Sequence, residues 1–335
     1  MPRTLLFILL LAVSAHSQTL FSATPLEDLG TGDYLGFEGG LYLDGSDKVP
    51  LDHNADGLAI SQLSPVDGKI VMLSIGMSIA ADTFIAFSQQ AQLNSNVNHT
   101  TLAILNGAQN DAIACYWTIP FGALDICPNG SGKQNEYDRV KQQVLSPGQA
   151  SESQVQVIWL YDCDDRPTVS LASPRADAYN LERYLGKIAR AAQTRYPNLK
   201  LMFLTSREYG GYAIDNLNPE PYAYESGFSV KWLIEAQVDQ IRTGVRDPIA
   251  GDLDYNSGIA PWVNWASYTW TNGAHRRSDG FYWCNGQPNP PCGGEVDVQA
   301  DGTHPNSVGS AKLAGMLLNY FLGSPYASWF RASGQ

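Results

Sequence analysis

The chain lacks any run of basic residues: 21 Lys and Arg stand against 33 Asp and Glu, for a formal net charge of -12 and a sequence pI near 4.7. Such a surface repels nucleic acid and anionic lipid, so a neutral small-molecule substrate fits better. Beyond the first residues it also lacks an apolar stretch approaching the roughly 20 residues that a membrane-spanning helix needs. No CxxC pair or His/Cys cluster points to zinc, and there are no internal repeats, low-complexity tracts or long linkers. The length admits one large α/β domain or two small ones, and abundant Trp and Tyr allow a substantial core.

What is present begins with an export pattern. Arg3 precedes an apolar stretch over residues 5–13, and Ala15-His16-Ser17 puts small residues at alternate positions. Residues 1–17 therefore read as a signal peptide for a protein secreted to the periplasm or the extracellular space. An oxidising compartment would let Cys284 and Cys292 staple the Pro- and Gly-rich loop between them, with Cys115 and Cys127 as a second pair and Cys163 left as a buried thiol.

Four apolar, β-rich runs, at 69–75, 101–105, 154–160 and 199–205, are each followed by a segment able to form a helix. Helices are expected over 80–92, 176–196, 230–242 and 307–321, and a further strand over 262–270. This alternation predicts an α/β chain with a mainly parallel sheet covered on both faces. Residues 18–67 fall outside it and read as a Gly- and Asp-rich N-terminal extension to a domain spanning 68–330.

Ligands of parallel α/β sheets sit beyond the carboxyl ends of the strands. Ser78 follows the first run, with Gly76 to permit a tight turn and a helix N-terminus to aim amides at a developing oxyanion. The second run leads into Asn106-Gly107-Ala108-Gln109-Asn110-Asp111, where the Gly107 N–H could approach the same oxyanion. Near the C-terminus, Asp301-Gly302-Thr303-His304-Pro305-Asn306 places an acid three residues before a histidine. Together these supply a nucleophile (Ser78), an acid/base (His304) and its orienter (Asp301).

Gly76-Met77-Ser78, Gly107 with Asn106 and Gln109, and Asp301 with His304 resemble, in order, the motif blocks of the SGNH/GDSL hydrolases. The resemblance implies a flavodoxin-like three-layer α/β/α sandwich, ester hydrolysis through an acyl-enzyme, and no metal or organic cofactor. Two positions depart from that family. Met77 stands where an aspartate is usual, and the third run continues into Asp162-Cys163-Asp164-Asp165 without the usual asparagine. The amide of Gln109 or of Asn110 is the candidate replacement donor. A carbohydrate-linked or other small acyl ester is the expected substrate, and a non-catalytic carbohydrate-binding protein on the same fold is the alternative.

Three further motifs have ordinary explanations. Asp52-His53-Asn54-Ala55-Asp56-Gly57 matches the opening of a calcium loop, but Leu63 occupies the place of the closing acid, so a solvated Asx turn is expected. Asp162, Asp164 and Asp165 read as a solvated acidic loop. Trp262, Trp265, Tyr268, Trp270, Tyr282 and Trp283 are either core or a platform for sugar faces.

Overall fold

The computed structural model describes residues 21–332, so the expected signal peptide lies outside the described residues. The chain opens with α1 (Leu26–Leu29), a hairpin of β1 (Asp33–Tyr34) and β2 (Phe37–Glu38), and α2 (Leu51–Ile60). Next come β3 (Ile70–Gly76), α3 (Ser78–Leu93), β4 (Leu102–Leu105) and the short helices α4 (Ala114–Trp117) and α5 (Glu136–Val140). The remainder is β5 (Val155–Tyr161), α6 (Asp177–Arg195), β6 (Leu201–Leu204), α7 (Tyr222–Thr243), β7 (Trp262–Trp265) and α8 (Ser307–Gly323).

β3 to β7 form one parallel sheet in the order β4-β3-β5-β6-β7. Every residue of β3 and β5 is buried, as their near-continuous apolar sequences demand when helices cover both faces. The order reverses direction at β3. Right-handed crossovers then place α3 on the face opposite α6 and α7, and α8 returns to pack on α3. The result is the α/β/α sandwich anticipated from the alternation. Cys115–Cys127 and Cys284–Cys292 are bonded, and Cys163 is free and buried. Among the described residues no helix is long and apolar enough to cross a membrane, and no group of three or more His, Cys, Asp or Glu side chains is placed to hold a metal ion.

The segment ahead of β3 covers the β7 edge. Trp265 donates its indole N–H to the Leu41 carbonyl (2.8 Å), Tyr42 donates its hydroxyl to Asn264 Oδ1 (2.8 Å), and Leu26 is fully buried. α7 begins at Tyr222, eight residues before the expected start, and Leu26 packs closely on its Gly227, where a Cβ would lie 2.8 Å from Leu26 Cδ1.

Two other expectations are corrected, and one left open is decided. Residues 52–57 form part of α2 and no Asx turn. His53 and Gly57, one turn apart, face Trp262, whose ring stacks on His53 at 4.8 Å and would meet a Cβ on Gly57 at 2.3 Å. Burial lowers the His53 imidazole to about 4. The strand expected over 262–270 stops at Trp265. Beyond it the Tyr268 and Trp270 carbonyls accept from the Arg277 guanidinium and have no ladder partner. Finally, Trp262, Trp265, Tyr268, Trp270 and Trp283 are all buried and build the core, while Arg276 and Lys312 both lie against the Tyr282 ring, at 4.4 and 4.3 Å from its centre. No sugar platform is left among them.

Candidate active site

β3 ends at Gly76, whose φ of +144° is open to glycine. A Cβ here would stand 2.0 Å from the Tyr161 carbonyl oxygen of β5 and 2.7 Å from Ala80 Cβ. The chain can thus leave the sheet and enter α3 within two residues, with Ser78 as the first residue of the helix. Its backbone N–H has no intrahelical acceptor and is free to meet an anion.

The second contribution comes from the segment just before α8. Asp301 Oδ1 accepts from the backbone N–H of Thr303 (2.9 Å) and of His304 (3.0 Å), and this folds the turn. Gly302 has φ +69°, and a Cβ there would lie 1.8 Å from the Tyr212 carbonyl oxygen. Asn306 then caps α8, accepting from Val308 N and Gly309 N. One hexapeptide therefore builds a turn, presents an imidazole and starts a helix.

These two segments meet at the ring. Ser78 Oγ lies 2.8 Å from His304 Nε2, and His304 Nδ1 lies 2.6 Å from Asp301 Oδ2. Burial works against ionisation of Asp301, but hydrogen bonds from the His304 ring and from the Thr303 and His304 amides outweigh it and hold the carboxyl below its ordinary value. An ionised Asp301 fixes the proton on Nδ1, which leaves the Nε2 lone pair facing Ser78. The arrangement can take a proton from the hydroxyl as it attacks and return it to a leaving group.

The three residues of the β4 loop named as oxyanion candidates separate. The Gly107 N–H is spent on Ser74 Oγ (3.1 Å), in a buried knot where the Ser74 hydroxyl also donates to Asn106 Oδ1 (2.6 Å). Gly107 is a glycine for packing, because a Cβ would meet the Ser74 carbonyl oxygen at 2.6 Å. The Gln109 amide donates to both Glu136 oxygens, at 3.2 and 3.3 Å, and Arg139 holds that carboxylate from the other side. Asn110 is exposed and lines the cavity that contains Ser78 and His304.

That cavity has a volume of about 400 Å³ and opens at the carboxyl ends of β3, β5 and β6. Three of its lining residues drew no sequence expectation as site groups: Asp162, Arg207 and Thr303. Asp162 corrects the reading of a solvated acidic loop, being 3% exposed, with Oδ1 accepting from Cys163 N at 2.8 Å. Its position directly after β5 is the one signal that could have marked it. Cys163 is the buried thiol expected, and burial pushes it well above the ordinary range.

No protein-family model matches the sequence, and no curated protein does. Among solved structures it is similar to a gut microbial diltiazem-metabolizing enzyme. The likeness covers 78% of this chain and 48% of that one, at 12% identity and a TM-score of 0.33. This chain thus spans about half the length of that enzyme.

Proposed function

We propose that this chain is an exported serine esterase of the SGNH type. The observation that carries the proposal is the continuous hydrogen-bonded path from Ser78 Oγ through the His304 ring to Asp301, set in a cavity at the carboxyl ends of a parallel sheet. Ser78 Oγ forms a bond to the ester carbonyl carbon as its proton passes to His304 Nε2. The carbonyl π electrons move onto oxygen, where the Ser78 N–H at the head of α3 and the Asn110 amide are the donors assigned to it. Collapse of the adduct breaks the carbon–oxygen bond to the alcohol, which leaves with the proton from His304. Water then repeats the sequence on the acyl-enzyme, giving the acid and restoring Ser78.

The two disulfides fit an oxidising compartment and support export. Incubation with a fluorophosphonate, followed by peptide mass spectrometry, tests the assignment. Labelling at Ser78, abolished by Ser78→Ala and accompanied by loss of on the order of 10⁴-fold in kcat, is the expected result. A folded protein that stays unlabelled would favour the carbohydrate-binding alternative.

A further inference from the structure

Buried polar atoms in folded proteins nearly always have a hydrogen-bond partner, so several unpartnered ones around one cavity call for an explanation. Asp162 Oδ2, Thr303 Oγ1 and Arg207 Nη2 are all buried without a partner, and all three residues line the cavity that holds Ser78 and His304. The residues themselves are only 3%, 2% and 1% exposed. Each is held by its other atoms. Asp162 Oδ1 accepts from Cys163 N, the Thr303 amide donates to Asp301, and the Arg207 guanidinium pairs with Glu208 and donates from Nε to Asn218 Oδ1.

The charges decide what these atoms await. Glu208 already neutralises Arg207, and the lining contains Asp82, Asp111 and Asp165 besides Asp162 against one further guanidinium, the largely exposed Arg166 beside Asp165, so an anion would be repelled. A hydroxyl group donates and accepts at once. It can receive from Arg207, exchange with Thr303, and pair with Asp162 in either protonation state, which matters because burial raises that carboxyl well above its ordinary range. Neighbouring strands lie about 4.8 Å apart. The end of β5, which carries Asp162, is therefore one spacing from the nucleophile's strand, and the end of β6, near Arg207, is two spacings or about 10 Å away. Asp162 and Arg207 thus address a part of the substrate beyond the reacting carbonyl, and Thr303, next to His304, stands at its near side.

We infer that the cavity beside Ser78 contains a subsite for the hydroxyl groups of a neutral sugar or polyol ester, formed by Asp162, Thr303 and Arg207. The inference rests on the esterase reading and narrows its substrate class. Arg207 is a poor first target, because its loss leaves Glu208 buried without its cation. Asp162→Asn keeps the acceptor for Cys163 N but puts an amide that can still donate to a hydroxyl in place of Oδ2, so Thr303→Val, close to isosteric and without a hydroxyl, carries the test.

For each variant, kcat/KM is measured on monoacetylated methyl glucoside and on nitrophenyl acetate, and the ratio of the two is compared with wild type. The ratio is independent of the fraction of active enzyme. It is expected to fall roughly five- to tenfold in Thr303→Val, the size of one neutral hydrogen bond, and to recover in Thr303→Ser. A ratio within twofold of wild type in Thr303→Val, with Ser78 labelled by a fluorophosphonate, would overturn the subsite and leave the esterase standing. So would a wild type that cleaves nitrophenyl acetate and ignores the acetylated glucoside. An unlabelled Ser78 in folded protein would overturn both.

Discussion

The two oxygens of Asp301 do different work, and Asp301→Asn separates them. Oδ1 accepts the Thr303 and His304 amides, while Oδ2 accepts from His304 Nδ1 at 2.6 Å. An asparagine can keep its carbonyl oxygen toward the two backbone donors, so the turn before α8 should survive. Its amide nitrogen then faces the ring and donates, which forces the Nδ1 lone pair inward and the ring proton onto Nε2. That proton points at Ser78 Oγ, and the base is lost through the wrong tautomer. The same exchange in a Ser-His-Asp protease lowers kcat about 10⁴-fold, equivalent to roughly 5.4 kcal/mol at 1.36 kcal/mol per decade. Single-turnover acylation by nitrophenyl acetate should show a loss of that order, with the urea midpoint close to wild type. A folded variant acylated within about tenfold of wild type would refute the argument that Asp301 fixes the tautomer of a base at His304.

Asn110→Ala should lower kcat by roughly 10²- to 10³-fold with little change in KM if its amide meets the oxyanion, whereas Gln109→Ala should cost less, since its amide is spent on Glu136. Steady-state kinetics on both variants decide this, and the reverse ranking would reassign the donor. Ser74→Ala strips the buried Gly107 amide of its acceptor, while the Ala108 amide keeps Asn106 Oδ1 at 3.2 Å, so urea unfolding should show a loss of about 1–3 kcal/mol; a neutral outcome would mean that the β4 loop relaxes to water. Stability should also fall as pH rises. Burial raises the carboxyls of Glu27, Glu220, Glu225 and Glu235 to about 7 and that of Glu182 to about 8, against 4.5 for a free glutamate. Between those values these five carboxyls bind more protons in the folded chain than in the unfolded one, and they outweigh the single opposing group, His53, lowered to about 4, so unfolding free energy declines from about pH 4.5 to 8. A urea midpoint higher at pH 8 than at pH 5 would contradict it.

The sequence by itself determined the layered architecture, because runs such as Ile70–Gly76 and Val155–Tyr161 are apolar on both faces and can only be interior parallel strands. It also carried the components whose spacing is local. Asp301 and His304 sit on one turn, Gly76 stands two residues before Ser78, and each bonded cysteine pair closes a short loop. Partnership across the fold was not legible. Gly107 and Gln109 have the composition of an oxyanion loop, yet Ser74 and Glu136, which face them only in three dimensions, take their hydrogen bonds. The pattern at 52–57 matches a calcium loop in residue types, but Trp262, some two hundred residues away, packs on His53 and Gly57 as one face of a helix. Asp162 lies in an acidic run that reads as solvated, and only the covering of β5 by its neighbours removes it from water. Residue type and short spacing are written along the chain. Burial and the choice of hydrogen-bond partner depend on what arrives from elsewhere, and only the tertiary structure decides them.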